Sequence, residues 1–456
     1  MDKIKKLRER RDAVKAAGKG VRADISALCD ESSFVEFSTF SFSKSDFYPE
    51  GACGEGVVAG FVTIDGYPFY VVAQNGEVLG GGISEANCNK IMKCLSSAEK
   101  SGTPVVYILN SKGVRVGEGV NVLEGLAGVL LKAAQLKGSV LQFCIVNGEV
   151  YGQIAALAGI CDFNFFIKDK SVLAANSPLV IAAKSGVNSP AKEIGGAAGL
   201  ANTNLVTFSV SSMAEVREKI ISVASAVSPA VIDSDELNVT VEELDSAPTA
   251  ENILKLFDNG GYAEIGAPFA PDVKCVLGRM GGVACAAVIF DGEEGVKLNA
   301  RKVKKIKDFA ELACCRELPL VFFVNCIGLC PCLNNHDSLV LKEVAELINV
   351  LDCCDKKLSV ISGKAVGLGY TLFAAKNMGY DYTLAFANAR VALFDGVQGA
   401  EIELAGESGD KKSLAERYGD ENSDPINAAK NGYIDNIIEP AFAKQYIVSC
   451  LQTLVN

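Results

Sequence analysis

Two glycine-spaced segments are the part of this chain best suited to chemistry: Gly148 to Gln153, and Gly363 to Gly369. In each, a glycine at the end of an apolar strand is followed four residues on by another glycine, Gly152 or Gly367, that enters a helix. Such a turn leaves backbone N–H groups exposed at a helix N-terminus, where they stabilise a developing oxyanion without any ionisable side chain. The same glycines would also serve a plain strand-to-helix turn in any α/β fold. More familiar schemes lack their parts. The single histidine, His336, excludes a Ser-His-Asp hydrolase and a multi-histidine metal site, and reads as a surface or loop residue. No GxxxxGK[ST] loop is present, so ATP chemistry is not indicated. Cys326-x-x-x-Cys330-x-Cys332, with Cys353-Cys354 nearby, matches neither paired zinc spacing nor a ferredoxin run. The cysteines read as small hydrophobes, a metal being the lesser alternative.

The elements that must position these turns occur twice. Pro104, Asn110, Gly148 and Gly152 recur 215 positions later as Pro319, Asn325, Gly363 and Gly367, and Gly66, Gly80, Ile91 and Ala98 recur as Gly281, Gly295, Ile306 and Ala313. In each copy an apolar run, Val105–Leu109 or Leu320–Val324, stops at an Asn. A second run stops at Gly148 or Gly363. The entry segments Leu28–Glu36 and Leu256–Glu264 also correspond, at a slightly different offset. Asp65-Gly66 predicts a hairpin between two β-rich runs from Val57 to Gln74. Helical spacing predicts helices over Met1–Ala17, ended by Gly18-Lys19-Gly20, over Ser84–Ser101 and over Val122–Leu136. Strands alternating with helices imply a mainly parallel sheet in an α/β fold. The Pro-containing acidic stretch from Ser228 to Ala250 reads as the linker, giving domains 1–232 and 233–456. A final helical region is expected from Asp424 nearly to Asn456, and Arg301, Lys302, Lys304, Lys305 and Lys307 are expected to form one basic helix face.

Composition narrows the class. With 456 residues, 49% hydrophobic and 22% charged, the chain has material for two cores. A formal net charge of -11 argues against a nucleic-acid partner. Sixteen cysteines, some adjacent, without a secretory signal point to a reducing cytoplasm. The apolar runs are broken too early for a membrane-spanning helix.

Several motifs together resemble one family, the carboxyltransferase (β) subunits of biotin-dependent acyl-CoA carboxylases, of propionyl-CoA and acetyl-CoA carboxylase type, with the related α subunits of biotin-dependent decarboxylases. Gly80-Gly81-Gly82-Ile83-Ser84 resembles the family's F-G-G-S-x-S turn, and Asn110 to Gly119 resembles D-S-G-G-A-R-x-Q-E-G. Lys364 to Tyr370 is similar to K-A-Y-G-G-A-Y, and Ala428 to Asp435 to A-A-x-x-G-Y-x-D. The likeness covers nearly the whole chain.

The resemblance implies a tandem crotonase-like (ClpP/crotonase) β-β-α superhelix fold. It also implies a homo-oligomer, a dimer or hexamer, in which acyl-CoA lies on the N-terminal domain and carboxybiotin enters from the C-terminal one. Carried over by position, Gly152 and Gln153 form one oxyanion hole, for the thioester enolate. Leu368 and Gly369 form the other, for the biotin ureido oxygen. Gly80, Gly81, Gly82, Gly113, Arg115, Gly148, Gly363, Gly367, Tyr370 and Thr371 are implied as substrate-binding, with Thr371 at the floor of the acyl pocket. Biotin would ride on a carrier protein, and a biotin carboxylase or a membrane decarboxylase subunit would be a further partner. The sequence departs from the pattern at Lys112, Gln153 and Leu368, where the family has glycine, and from Asn325 to Glu346, on the biotin side. A decarboxylase α subunit and a non-catalytic acyl-CoA-binding or structural subunit therefore remain alternatives.

Overall fold

The computed structural model describes residues 2–41, 53–228, 236–330, 338–403 and 410–455. These form two compact units, Met1–Ile221 and Ser222–Asn456. The linker stretch falls partly on residues 229–235, outside the described residues, and its remainder contains the short helix Glu243–Ser246 and ends where the helix Ala250–Leu254 begins.

The first unit is built on one sheet: β1 (Val35–Phe37), β2 (Val57–Ile64), β3 (Tyr67–Gln74), β4 (Val105–Ser111), β5 (Gln142–Tyr151), β6 (Phe163–Ile167), β7 (Val172–Ala174) and β8 (Phe208–Val210). Its order is β1-β2-β3-β4-β5-β6-β8, antiparallel through β3 and parallel beyond, with β7 on the far half of β5. The second unit repeats this with β9 (Tyr262–Ile265), β10 (Val273–Met280), β11 (Val283–Phe290), β12 (Val296–Leu298), β13 (Leu320–Leu329), β14 (Lys357–Val366), β15 (Tyr382–Phe386), β16 (Arg390–Ala392) and β17 (Asn436–Ile438). The bounds of β5 and β14 differ by the same 215 positions as the sequence repeat.

Both faces of the sheet are covered, as a parallel sheet requires. On one face Tyr107, Leu109, Cys144 and Val146 pack against Ile91, Cys94, Leu95 and Ala98 of the helix Glu85–Ser101 and against Val129 and Ala133 of the helix Val120–Leu136. On the other, Phe143 stacks on Phe163 at 5.3 Å between ring centres, and Phe165 on Phe208 at 4.9 Å. Ser84 caps the first helix by accepting the Asn87 N–H. Asn299, the equivalent position, caps the helix Ala300–Cys315 through the Lys302 N–H.

The hairpin at Asp65-Gly66 forms as expected. The entry turns explain why they recur: the Asp30 carboxylate accepts the N–H groups of Asp65 (2.9 Å) and Gly66 (2.8 Å), and Asp258 does the same for Gly281 (2.8 Å) and Gly282 (2.7 Å). Arg217 pairs with Asp30 and Lys444 with Asp258. Four expectations need correction. Gly18 ends the first helix, Lys3–Ala17, but a second helix, Lys19–Leu28, starts at once, burying Val21, Ile25 and Leu28. The strands do not stop at the asparagines or at Gly148 and Gly363. β4 and β13 run through Asn110 and Asn325, and β5 and β14 run through the glycines to Tyr151 and Val366. The C-terminal region is interrupted by β17, which pairs with β15 and adds an edge strand to the sheet. The five cations from Arg301 to Lys307 do not share one face. Lys305 is buried, its ammonium turned to the Ala270 carbonyl, while Lys307 sits between Glu343 and Glu346 and Arg301 lies over the Phe269 ring.

Candidate functional site

The register of β4 against β5 breaks at the asparagine. Leu109 faces Val146 and Ser111 faces Val150, so two steps along one strand meet four along the other. The same break separates Val324/Ile361 from Cys326/Ala365. Each long strand thereby bends and changes partner: β5 leaves β6 for β7, and β14 leaves β15 for β16.

The turn that follows the long strand is Gly152 in one unit and Gly367 in the other. Their backbones, φ 79 ψ -157 and φ 52 ψ -122, are ones that side-chain-bearing residues rarely adopt. Each glycine's own N–H is used, donating to Ala174 and Ala392 carbonyls of the added strands at 3.2 and 3.1 Å. The helical turns beginning at Gln153 and Leu368 have no side-chain cap. Their first N–H groups have no intrahelical acceptor and are available to a ligand.

In the first unit the turn opens on a cleft of about 720 Å³, lined by Lys112, Gly113, Tyr151, Gly152, Gln153 and neighbours. Burial, with Glu149 adding, pushes the Tyr151 phenol up to about 12, so it is no base at neutral pH. The lining side chains include no carboxylate, imidazole or thiol, and Lys112 is the one charged group among them. The cleft is equipped to polarise a carbonyl by backbone hydrogen bonds and not to abstract a proton.

The site residues inferred from the sequence divide in two. Gly113, Gly152 and Gln153 line the cleft. Gly80, Gly81 and Gly82 are not among its lining residues but back the loop that forms its edge. The Gly80 carbonyl accepts the Lys112 N–H at 2.9 Å, the Gly113 carbonyl accepts Ile83 at 2.9 Å, and a Cβ on Gly81 would lie 2.0 Å from the Asn110 carbonyl oxygen. Arg115 is buried, and its guanidinium reaches the Glu55 carboxylate at 2.8 Å and the Gly82 carbonyl at 3.1 Å. Its place is behind the turn because a buried cation needs a buried anion, and Glu55 supplies it. Gly148 sits in the strand bend against Asn110, and Gly363 against Asn325.

In the second unit Gly369 packs on Cys326, where a Cβ would meet the Cys326 carbonyl oxygen at 2.5 Å. Burial pushes the Cys326 thiol up to about 12, so no thiolate stands beside this turn. Tyr370 is half-buried, and burial raises its phenol. Thr371 is exposed, its hydroxyl donating to the Gly367 carbonyl at 3.2 Å. Gly328 was missed, although it stands 215 positions from Gly113. A Cβ there would lie 3.4 Å from the Val366 carbonyl oxygen and 3.5 Å from the Leu368 nitrogen, so its bareness keeps the second turn open. Glu55 was missed as well, since nothing in the chain near it marks it as the partner of Arg115. His336 and Cys332 lie outside the described residues, and no group of three or more His, Cys, Asp or Glu among the described residues is arranged to hold a metal.

The carboxyl transferase domain family matches residues 14–456. The chain belongs to the carboxyl transferase family. Similar curated proteins include the propionyl-CoA carboxylase beta chain of Roseobacter denitrificans, 28% identical over 100% of this chain and 97% of its own. They also include the methylmalonyl-CoA decarboxylase subunit alpha of Veillonella parvula, 26% identical over 100% and 96%. Among solved structures, the transcarboxylase 12S hexamer with methylmalonyl-coenzyme A and methylmalonic acid bound superposes with a TM-score of 0.91 at 23% identity, covering 99% of this chain and 95% of that one. The fold of this carboxyl transferase is thus the tandem crotonase-like one, and the repeat in its sequence is the repeat of that fold. Among the described residues no helix is long and apolar enough to cross a membrane.

Proposed function

We propose that this carboxyl transferase moves a carboxyl group between a short acyl-CoA, of the propionyl/methylmalonyl or acetyl/malonyl type, and biotin carried on another chain. The cleft at Gly152 carries the reading, because it pairs an uncapped turn with a lining that holds no carboxylate, imidazole or thiol. Carboxyl transfer at the α-carbon of a thioester passes through an enolate whose oxygen must be stabilised, and backbone N–H groups supply that stabilisation; the α-proton would be exchanged for the carboxyl at the biotin ureido nitrogen.

In this reading the N–H groups at Gln153 and its turn hold the thioester oxygen. The apolar wall around Leu173 and Val180 would pack against the acyl group. The N–H groups of Leu368 and Gly369 would hold the ureido oxygen of biotin, which supplies the carboxyl acceptor or donor when bound. The bare Gly328 opposite Leu368 is compatible with close approach of such a planar group. Gly113, Tyr370 and Thr371 act in binding, and Gly80 to Gly82, Arg115, Gly148, Gly363 and Gly367 act by holding the two turns in place. The first unit then serves acyl-CoA and the second biotin, in a homo-oligomer working in the cytoplasm with a biotin carboxyl carrier protein and a biotin carboxylase or membrane decarboxylase subunit.

The test is incubation of the purified full chain with free biotin and malonyl-, methylmalonyl- and glutaconyl-CoA, each thioester followed by chromatography. Biotin-dependent loss of one of them supports the reading and names the substrate. Binding of the thioesters without turnover, with carrier protein supplied, would favour the non-catalytic subunit. That second reading draws on Leu368, whose side chain stands where the family has glycine at the biotin-side turn.

A further inference from the structure

We propose that Lys112 is the residue that selects, in the first-unit cleft, acyl-CoAs whose acyl group carries a carboxylate. The inference rests on the acyl-CoA reading above and adds the charge class of the acyl group and the side chain that recognises it.

Lys112 is the one charged side chain lining the cleft. It is exposed, and among the described residues its ammonium has neither an ion pair nor a hydrogen-bond partner. Its backbone and the base of its side chain are held against Gly80. The Lys112 N–H donates to the Gly80 carbonyl at 2.9 Å, and its stem runs over Gly80, where a Cβ would lie 3.3 Å from Lys112 Cδ. The next residue, Gly113, faces the turn: a Cβ on Gly152 would be 4.0 Å from the Gly113 Cα. Gln153, which follows Gly152 in that turn, is also exposed and lines the cleft. The rest of the wall is mostly apolar, with Val114, Leu173, Val180 and Leu205, and its other polar side chains, Tyr151, Asn176 and Ser177, are uncharged.

A mostly apolar cleft with a single cation in its wall fits a ligand with an apolar body and one anionic end. Two anions of an acyl-CoA are candidates, a carboxylate on the acyl group and a phosphate of CoA. The whole pantetheine arm separates the phosphates from the thioester carbonyl, whereas a carboxylate on the α-carbon is attached next to it. A lysine adjoining the turn that holds the thioester oxygen therefore meets the carboxylate. The contact is a binding contact made with the carboxylated thioester; no bond is made or broken at Lys112.

The experiment measures binding of malonyl-CoA, acetyl-CoA and free CoA to the full-length protein by titration calorimetry at low salt, for the wild type, Lys112→Gln and Lys112→Arg. The expected result is a wild-type preference for malonyl-CoA over acetyl-CoA of about tenfold or more, the size of one charge-assisted hydrogen bond. Lys112→Gln should remove the preference while leaving acetyl-CoA and CoA affinities unchanged, and Lys112→Arg should retain it. Equal weakening of all three ligands in Lys112→Gln would assign the lysine to a CoA phosphate and overturn the proposal. An intact preference in Lys112→Gln would overturn it as well, leaving the acyl-CoA reading standing. Failure of the wild type to bind any of the three would remove the acyl-CoA reading itself, and the proposal with it.

Discussion

Asn110 and Gly148 touch at the bend of the first sheet: a Cβ on Gly148 would lie 2.7 Å from the Asn110 Oδ1. Asn325 and Gly363 repeat the contact at 2.5 Å, and there Asn325 is held in place by the Lys364 N–H at 3.0 Å and by donating to the Gly292 carbonyl. The asparagine occupies the gap left by the register break, and the glycine leaves room for it. Gly148→Ala and Gly363→Ala should each destabilise by about 1–3 kcal/mol through overpacking. The loss should be larger at Gly363, because Asn325 is bonded on both sides. Urea unfolding measures this, and the double variant Asn110→Ala/Gly148→Ala should recover part of the loss. Unchanged stability in Gly148→Ala would contradict the packing.

Proline at the first helical position tests the backbone N–H groups without adding strain, since its fixed φ suits that position and only the N–H is removed. Gln153→Pro is expected to fold and to lower kcat by about 10²–10³, the loss on removing one oxyanion donor. Leu368→Pro should do the same for carboxyl transfer to or from biotin, with acyl-CoA binding retained. Steady-state kinetics beside a thermal melt reports both. Full activity in a folded Gln153→Pro protein would remove the Gln153 N–H from the mechanism.

Arg115 and Glu55 form a buried pair whose loss should be felt in stability before chemistry. Glu55 also accepts the Ser84 hydroxyl at 2.9 Å, so the pair ties the Gly80–Gly82 turn to the helix Glu85–Ser101. Arg115→Met leaves a buried carboxylate unpaired and should cost about 3–5 kcal/mol. Arg115→Met/Glu55→Gln should be more stable than the single variant. If Arg115→Met instead leaves the melting temperature unchanged and alters only substrate affinity, the arginine is a ligand contact and not a support.

Stability should fall on both sides of neutral pH, for opposite reasons. The Gly66 N–H, then Arg217 and the Thr63 hydroxyl, hold the Asp30 carboxyl well below the usual carboxylate range. A lowered folded pKa contributes stability above the unfolded value of about 4 and loses it as pH falls further. Burial pushes the thiols of Cys88, Cys94, Cys275 and Cys354 up to about 12. A raised folded pKa contributes stability below the unfolded value near 9 and loses it as pH rises through 12. Each such thiol costs about 1.4 kcal/mol per pH unit in that window. Lys90, brought down to about 8 by burial, acts in the reverse sense between 8 and its unfolded value, offsetting one thiol. Urea unfolding at pH 8, 9 and 10 should therefore show a steepening loss, shallower in Cys94→Ala. A flat profile to pH 10 would mean that these thiols are not buried.

Asp30 and Asp258 show how far pattern matching reaches. Their entry segments correspond in sequence at an offset that differs from 215, and each carboxylate turns out to close a hairpin in the same way. The strand ends illustrate the opposite case. Asn110 and Gly148 looked like terminators because both residue types favour turns, but two neighbouring strands impose continuity and turn the pair into a bend. The helix Lys19–Leu28 escaped notice because glycines at its start outweighed the apolar spacing of Val21, Ile25 and Leu28.

The sequence by itself determined the duplication, the α/β alternation, the absence of histidine chemistry and the two glycine turns at Gly152 and Gly367, because periodicity, composition and glycine spacing are local properties of the chain. Only the tertiary structure decided that Gly113, Gly152 and Gln153 share a cleft, that Arg115 answers to Glu55, and that Lys112 stands alone as the charge at the cleft wall. Those relationships join residues as much as 60 positions apart. They depend on strand register and burial, which are set by the packing of the whole sheet rather than by any stretch of it.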